Sequence, residues 1–170
     1  KDDWQKSFKK YSLKNKIPIT TLKNLYHKKN LYFFSLEYEG ILDINKFKSN
    51  NLFNIHFSLL PKYRGCHTNY FQILNGEKNT GVTLHKMDKG IDTGKIIDIS
   101  RFDIGKNATA YENYLKLLDQ SIKLFKKNIH RIINNDYSLR KQNLKKGSYF
   151  SRNSVDYKKL IFLKEITHNK

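Results

Sequence analysis

The chain has 170 residues, with 33 lysines and arginines against 15 aspartates and glutamates, and its formal net charge is +18. This length suits a single domain, and the one cysteine, Cys66, excludes an internal disulfide and a cysteine-rich zinc site. No apolar run reaches the roughly 18 residues of a membrane span and the lysines are scattered, so we expect a cytoplasmic protein with a solvated basic surface and neither a membrane nor a nucleic-acid partner.

The first part of the chain predicts two helices and a buried strand. Apolar residues recur at near-helical intervals from Asp2 to Asn15. Thr20 or Thr21 can cap a second short helix that runs through Lys28. The apolar run from Leu31 to Leu36 is typical of a buried parallel strand.

The rest of the chain continues this alternation. In chain order we predict a capped turn over 43–49, a strand over 52–57, a loop over 61–65, a helix over 67–75, strands over 81–87 and 95–100, and a helix over 109–134. The last helix carries an apolar stripe that is sustained over about seven turns. Helices that alternate with strands predict an α/β fold in which the long helix covers a sheet.

Three polar side chains are candidates for chemistry. Asn54 and His56 lie two residues apart at the end of a predicted strand, so they share one face, and Asp92 lies in a glycine-framed loop. An imidazole can move a proton, a carboxylate can orient that imidazole, and an amide can donate to an oxyanion. Taken alone, such a pair is more often an ordinary hydrogen-bonded pair, and such an aspartate a turn residue.

A longer pattern around these residues is more specific. The segments NIHFSLLPKYRG at 54–65 and GVTLHKMDKGIDTG at 81–94 closely resemble the folate-dependent formyltransferase family. By this resemblance, Asn54, His56 and Asp92 match the catalytic residues that transfer a formyl group from 10-formyltetrahydrofolate to an amine, without a metal. The resemblance implies a Rossmann-like fold with a mostly parallel sheet flanked by helices. Whether His56 stabilises the oxyanion or accepts the amine proton stays open.

The resemblance also assigns the walls of the site. The folate pocket is expected to include Ser35, Glu37, Tyr38, Lys89, Gly90 and Ile91. The substrate side is expected to include Lys62, Tyr63, Arg64, Gly65, Asn69, Tyr149 and Arg152. The basic members of this set suit a diphosphate, the tyrosines either stack on a base or simply pack, and Asn69 is expected to contact the sugar. We expect His85 to pack within the sheet.

The identity of the amine is the harder question. The segment GSYFSRNSVD at 147–156 is similar to the tail of sugar N-formyltransferases, which implies a nucleotide-linked amino sugar. We expect dTDP-4-amino-4,6-dideoxyglucose, formylated for O-antigen or other lipopolysaccharide biosynthesis, and a homodimeric enzyme. Two alternatives stay open: an enzyme like methionyl-tRNA formyltransferase, and a non-catalytic basic binding module.

The resemblance finally divides the chain. Residues 1–135 are expected to form the catalytic domain, and residues 136–170 a short C-terminal extension. Family members begin with a strand, a helix and a strand ahead of the matching part, so about fifty residues are expected to be missing, given the size of such units. We therefore expect the native molecule to be longer.

Overall fold

The computed structural model describes residues 7–38 and 40–155. The predicted helix start at Asp2 and the end of the predicted C-terminal extension, residues 156–170, lie outside the described residues. The helices are α1 Phe8–Lys14, α2 Leu22–Leu25, α3 Thr68–Leu74 and α4 Ala110–Ile133. The strands are β1 Tyr32–Leu36, β2 Asn51–His56, β3 Arg64–Gly65, β4 Asn79–Lys86, β5 Ile96–Asp103 and β6 Tyr149–Phe150. Three short 3-10 turns cover Ile44–Lys46, Leu144–Lys146 and Arg152–Ser154.

The main sheet has four strands in the order β1-β2-β4-β5. Strand β1 runs parallel to β2, whereas β4 runs antiparallel to both β2 and β5. The predicted α/β class is confirmed, but the expectation of a mostly parallel sheet is wrong for these four strands. The reason lies in the connection between β4 and β5, because the loop over 87–95 is a hairpin and a parallel return needs a crossover of about a dozen residues or more.

Helix α4 covers one face of this sheet. It begins with a capping box in which the side chains of Thr109 and Glu112 each bond the other's backbone N–H. Its buried residues Leu117, Leu124 and Ile132 join the core formed by β2 and β4. Each such fully buried aliphatic side chain stabilises the fold by about 1.5–3 kcal/mol. Among the helices of residues 7–38 and 40–155, none combines the length and apolarity needed to cross a membrane.

Strand β2 sorts its side chains between this core and the opposite face. Phe53 and Ile55 point into the core under α4, as the alternation of a strand requires. Asn54 and His56 lie on the other face, where both reach Asp92. The prediction that these two polar residues share a face is therefore confirmed.

The segment after α4 folds back onto the domain. Arg140 exchanges two backbone hydrogen bonds with Ile96, at the start of β5. Further along, β6 pairs in parallel with β3. A side chain on Gly65 would collide with the Phe150 carbonyl oxygen, which would lie 2.1 Å from a Cβ, so only glycine allows these two strands to approach. This returning segment therefore fixes the loop that follows β2.

Candidate active site

A cavity of about 600 Å³ opens where β1, β2 and β4 meet the loop between β4 and β5. Its volume lies within the range of about 300–1,000 Å³ that is usual for small-molecule sites. The residues predicted for the site that line it are Ser35, Glu37, Tyr38, Asn54, His56, Gly65, Lys89, Gly90, Ile91, Asp92, Tyr149 and Arg152. Other parts of the wall are apolar, including Ile41, Leu42 and Met87.

Asp92 is the centre of the polar cluster in this cavity. Its Oδ1 accepts a hydrogen bond of 3.1 Å from Asn54 Nδ2, and its Oδ2 accepts one of 2.9 Å from the backbone N–H of Gly65. His56 Nδ1 lies 3.5 Å from Oδ2. Burial alone would raise the pKa of this carboxyl, but the neighbouring His56 and the Gly65 amide outweigh it and hold the pKa well below its usual range. Asp92 is therefore a carboxylate at neutral pH.

The imidazole of His56 is neutral at rest. Its Nε2 lies 2.7 Å from the Tyr63 carbonyl oxygen, which can only accept, so Nε2 carries the ring proton. Nδ1 then has a lone pair that faces the Asp92 carboxylate. Burial lowers the pKa of His56, and the opposing charge of Asp92 does not fully compensate. The ring is thus placed to receive a proton at Nδ1 and form an ion pair with Asp92.

His85 also belongs to this cluster, although we expected it only to pack within the sheet. It lies opposite Asn54 in the β2–β4 pairing and is 1% exposed. Its Nδ1 lies 2.8 Å from the Lys86 carbonyl oxygen and therefore carries the proton, which leaves Nε2 as an acceptor. Asn54 Nδ2 lies 3.2 Å from that Nε2. Both amide protons of Asn54 are thus donated, one to His85 and one to Asp92.

The orientation of the Asn54 amide follows from these partners. With the amide reversed, Asn54 Oδ1 would face the Asp92 carboxylate oxygen and the unprotonated nitrogen of His85, which are both acceptors. The observed orientation is the one that gives both amide protons of Asn54 an acceptor. His85 and Asp92 together therefore orient Asn54.

Glu37 stands at the cavity wall directly after β1. Its φ of 50° is a left-handed conformation that is uncommon for residues other than glycine. More than a third of the surface of Glu37 is open to solvent, although the residue lies in the concave wall of the cavity. Partial desolvation, together with the charge of Asp92, raises the pKa of Glu37 to about 7. A large fraction of Glu37 is therefore protonated at neutral pH.

Four side chains predicted for the substrate side do not line the cavity. Lys62 pairs with Glu77 on the surface, and the Tyr63 ring stacks on Phe150 with its centroid 5.6 Å away. Asn69 donates to the Ala110 carbonyl oxygen at the start of α4. Arg64 places its guanidinium 6.0 Å from the centroid of the Tyr149 ring, which itself lines the cavity.

The amino-acid pattern of the formyl transferase family matches residues 43–129, which is just over half of the chain. The chain belongs to the formyl transferase family. The matched part of this formyl transferase chain includes Asn54, His56, His85 and Asp92. In the part of the chain that the structure describes, no group of three or more His, Cys, Asp or Glu side chains could hold a metal ion.

Two solved structures are similar to this formyl transferase chain over 91% of its length. One is an N-formyltransferase from Helicobacter canadensis in complex with folinic acid and dTDP-3-aminofucose, with 51% identity and a TM-score of 0.88. The other is WlaRD, a sugar 3N-formyl transferase in the presence of dTDP and 5-N-formyl-THF, with 50% identity and a TM-score of 0.87. The chain covers 58% and 57% of those two chains.

Curated relatives extend this picture. The bifunctional polymyxin resistance protein ArnA of Wigglesworthia glossinidia brevipalpis is 41% identical over 76% of the chain, which spans 21% of that protein. Methionyl-tRNA formyltransferases of several bacteria are between 32% and 41% identical to the chain. The chain spans 50% of the protein with 32% identity, from Prochlorococcus marinus, and 30% of the protein with 41% identity, from Orientia tsutsugamushi. The formyl transferase chain thus matches a part, never the whole, of these relatives.

Two residues that hold the polar cluster in place were missed in the sequence. His85 could have been found, because strand alternation puts it on one face with Met87 and an antiparallel pairing of β2 and β4 sets it opposite Asn54. Gln142 had no such signal, because it lies in a polar tail and reaches the Asp92 loop only through the folding back of the chain.

Proposed function

We propose that this protein transfers the formyl group of 10-formyltetrahydrofolate to the amino group of a nucleotide-linked amino sugar. The observation that carries the proposal is the hydrogen-bonded cluster of Asn54, His56 and Asp92 on the wall of a cavity of ligand size. The likeness to the Helicobacter canadensis enzyme, whose crystals contain a folate and an amino sugar nucleotide, supports the same assignment.

We propose that the polar cluster separates a folate side of the cavity from a sugar side. The first side takes Ser35 and Glu37 at the exit of β1 and the loop residues Lys89 to Ile91, which all line the cavity. The second side takes the lining residues Gly65, Cys66, Tyr149 and Arg152. We assign the folate to the first side, with Tyr38 at its rim, and the nucleotide sugar to the second, where a cation and an aromatic ring suit a diphosphate and a base. The formyl carbon and the amine then meet between the two sides.

The resting state of the cluster suggests the course of the reaction. The neutral amine attacks the formyl carbon, and a tetrahedral intermediate forms with a negative oxygen. His56 accepts the amine proton at Nδ1, and the Asp92 carboxylate stabilises the resulting imidazolium. As the bond from carbon to the folate nitrogen breaks, that nitrogen receives the proton, which gives tetrahydrofolate and the formamido sugar. To stabilise the oxyanion, Asn54 must redirect one of its two donated protons.

The position of the amine on the sugar is a finer part of the proposal. The resemblance of the sequence to sugar N-formyltransferases led us to expect dTDP-4-amino-4,6-dideoxyglucose. Similarity of 50–51% identity to an enzyme crystallised with dTDP-3-aminofucose and to a sugar 3N-formyl transferase favours an amine at carbon 3. We therefore propose a dTDP-linked 3-amino-3,6-dideoxyhexose as the first substrate to examine, with the 4-amino sugar as its competitor.

A panel assay tests this proposal directly. The protein is incubated with 10-formyltetrahydrofolate and with dTDP-linked 3-amino and 4-amino dideoxyhexoses, and each product is analysed by mass spectrometry. We expect the 3-amino sugar to gain the mass of one formyl group and release tetrahydrofolate. Formylation of the 4-amino sugar alone would overturn the ring position, and formylation of neither would count against the function.

A second candidate function is formylation of an aminoacyl-tRNA. It is favoured by the methionyl-tRNA formyltransferases among the relatives and by the net charge of +18. An enzyme of this kind binds tRNA with an affinity that falls steeply as salt rises, because cationic side chains release counterions from the phosphates. Tight, salt-sensitive binding of initiator tRNA would support this candidate, and weak binding with no salt dependence would remove it.

The setting of the enzyme is also a proposal. We propose a cytoplasmic homodimer that supplies a formamido sugar for surface polysaccharide synthesis, because the nucleotide sugar we assign is a building block of such polymers. Sedimentation of the purified protein at several concentrations tests the dimer, and a monomer at all concentrations would contradict it. We further propose that the segment from residue 136 onward is an extension that completes the domain over 1–135, since Arg140 bridges to β5 and β6 pairs with β3.

A further inference from the structure

We propose that Gln142 is a positioning residue of the formyl transfer site, which holds the Asp92 loop in its active geometry from outside the cavity. This inference rests on the function proposed above. Gln142 does not line the cavity, so it acts on the reaction through Asp92 and not through contact with a substrate.

The contact itself is a double donation from one side-chain amide. Gln142 Nε2 donates to the Asp92 carbonyl oxygen at 2.9 Å and to the Gly94 carbonyl oxygen at 2.7 Å. These bonds use both protons of the amide. They connect the loop between β4 and β5 to a residue about fifty positions further along the chain.

The orientation of the Gln142 amide is fixed by this arrangement. Its Oε1 is buried and has no hydrogen-bond partner among the described residues. Reversing the amide would turn Oε1 towards two carbonyl oxygens, which are acceptors as well. The orientation that donates both protons to the loop thus leaves Oε1 without a hydrogen bond, which is uncommon for a buried polar atom.

Two side chains hold the part of the loop that carries Asp92. The Asp88 carboxylate closes the loop across Asp92, because it accepts from the Gly90 N–H and the Thr93 hydroxyl. Asp92 adopts a left-handed backbone with φ of 54°, which residues other than glycine rarely adopt. The two carbonyls that Gln142 bonds belong to Asp92 itself and to Gly94, where the loop returns to β5.

Gly94 contacts both Gln142 and strand β4. A Cβ on Gly94 would lie 1.7 Å from the Lys86 carbonyl oxygen, so the loop backbone runs directly against β4. The same Lys86 carbonyl oxygen bonds His85 Nδ1. Gln142 therefore bonds a loop backbone that also packs against β4, and its own position is set by the two backbone bonds between Arg140 and Ile96.

A displacement of the Asp92 backbone would move its carboxylate relative to the groups that it contacts in the site. The Asp92 carboxylate bonds Asn54 and the Gly65 amide and lies beside His56. Its charge opposes the lowering of the His56 pKa by burial. A loosened loop would therefore lower that pKa further and misplace Asn54, while Tyr149 and Arg152, which we assign to the nucleotide sugar, lie outside this loop.

Two substitutions test the proposal in the full chain. Gln142→Met keeps the length of the side chain and removes both donors, and Gln142→Glu replaces the donors by oxygens that face two carbonyls. Asn143→Leu is the matched control, because it makes the corresponding change on the next residue, which is exposed and makes no side-chain capping bond. Thermal unfolding shows which variants are folded at the assay temperature.

We expect kcat to fall about 10-fold to 100-fold in Gln142→Met and further in Gln142→Glu, with KM for the nucleotide sugar little changed, since a small misplacement of reacting groups costs this much. The control is expected to keep the wild-type kcat. An NMR titration without substrates is expected to show a lower pKa for His56 in Gln142→Met. That shift distinguishes positioning from a merely structural role.

The titration also separates this inference from the proposed function. If the wild-type protein formylates no sugar but the His56 pKa moves in Gln142→Met, the function fails and the positioning role stands. If folded Gln142→Met keeps both the wild-type kcat and the wild-type His56 pKa, the positioning role is overturned whatever the substrate. Should Gln142→Glu unfold, Gln142→Met still decides the question, because it introduces no charge.

Discussion

Three features of its surroundings determine the protonation state and the tautomer of the His56 imidazole. Burial favours its neutral form, the Asp92 carboxylate favours its charged form, and the Tyr63 carbonyl selects the tautomer with the proton on Nε2. Burial outweighs the carboxylate, so the pKa lies below its ordinary value. A neutral ring beside an anionic carboxylate suits a group that must accept a proton during the reaction.

Glu37 offers a test of the electrostatics of the cavity. Because its pKa is raised from 4.5 to about 7, the folded protein binds this proton more tightly than the unfolded chain. The stability that this supplies is present at low pH and is lost as pH rises through about 7. Glu37→Gln keeps a neutral side chain throughout. We expect its melting temperature to equal that of the wild type near about pH 4 and to exceed it near about pH 8.

Thermal unfolding of the two proteins across this pH range measures the effect. The quantity to compare is the difference in melting temperature between the two proteins at each pH. His56 has a lowered pKa and contributes a stability that is lost as pH falls below about 6.5, and because both proteins contain His56, the difference removes this contribution. A difference in melting temperature that stays constant with pH would contradict the raised pKa of Glu37.

His85 provides a second test at the scale of single residues. His85→Phe fills the same space but leaves the Lys86 carbonyl oxygen and one Asn54 proton without their partners. Buried unsatisfied groups cost about 1–3 kcal/mol each, so we expect the free energy of unfolding to fall by at least about 1 kcal/mol. The measurement is urea unfolding. His85→Gln, which can still accept and donate, is the control, and equal stability of the two variants would contradict the tautomer assigned to His85.

At the scale of elements, the returning segment acts as a structural part of the site. Strand β6 pairs with β3, Ser148 bonds the backbone of Tyr63 and Arg64, and the Tyr63 carbonyl in turn bonds His56. Phe150 packs between the rings of Tyr63 and Phe71, with centroids 5.6 and 4.0 Å away. The loop that fixes the His56 tautomer thus depends on this segment.

Phe150→Ala tests that dependence. Phe150 is only half-buried, so we expect a loss in the free energy of unfolding of about 1–3 kcal/mol, below the cost for a fully buried phenylalanine. Chemical unfolding measures it, and Phe150→Leu, which keeps most of the apolar contact, is expected to lose less than half as much. Wild-type stability in Phe150→Ala would mean that the segment is not needed to hold the loop.

Several elements could be predicted from the sequence because their signals are local. The apolar stripe of α4 and its capping threonine lie within one helix, and the shared face of Asn54 and His56 follows from strand alternation. The antiparallel pairing of β4 with β5 follows from the short loop between them, whereas the pairing of β4 with β2 could not be read locally, because β3 and α3 separate these strands along the chain. The packing of Tyr63 was equally hidden, since Phe150 lies far along the chain.

At the scale of the whole molecule, the site is assembled from three distant parts of the chain. Strand β2 supplies Asn54 and His56, the hairpin loop supplies Asp92, and the returning segment supplies the Gln142 support. The net charge of +18 does not by itself identify a partner. Family resemblance pointed to Asn54, His56 and Asp92 as candidates, but the tertiary structure was needed to find the residues that hold them.

The most direct test is the transfer of a labelled formyl group from 10-formyltetrahydrofolate to a dTDP-linked 3-amino-3,6-dideoxyhexose, followed by mass spectrometry for the wild type and His56→Ala. We predict steady turnover by the wild type and a rate at least about 100-fold lower for the variant, in keeping with the loss of a proton acceptor. Equal rates for the two proteins, or no transfer by the wild type to any amino sugar, would contradict the account.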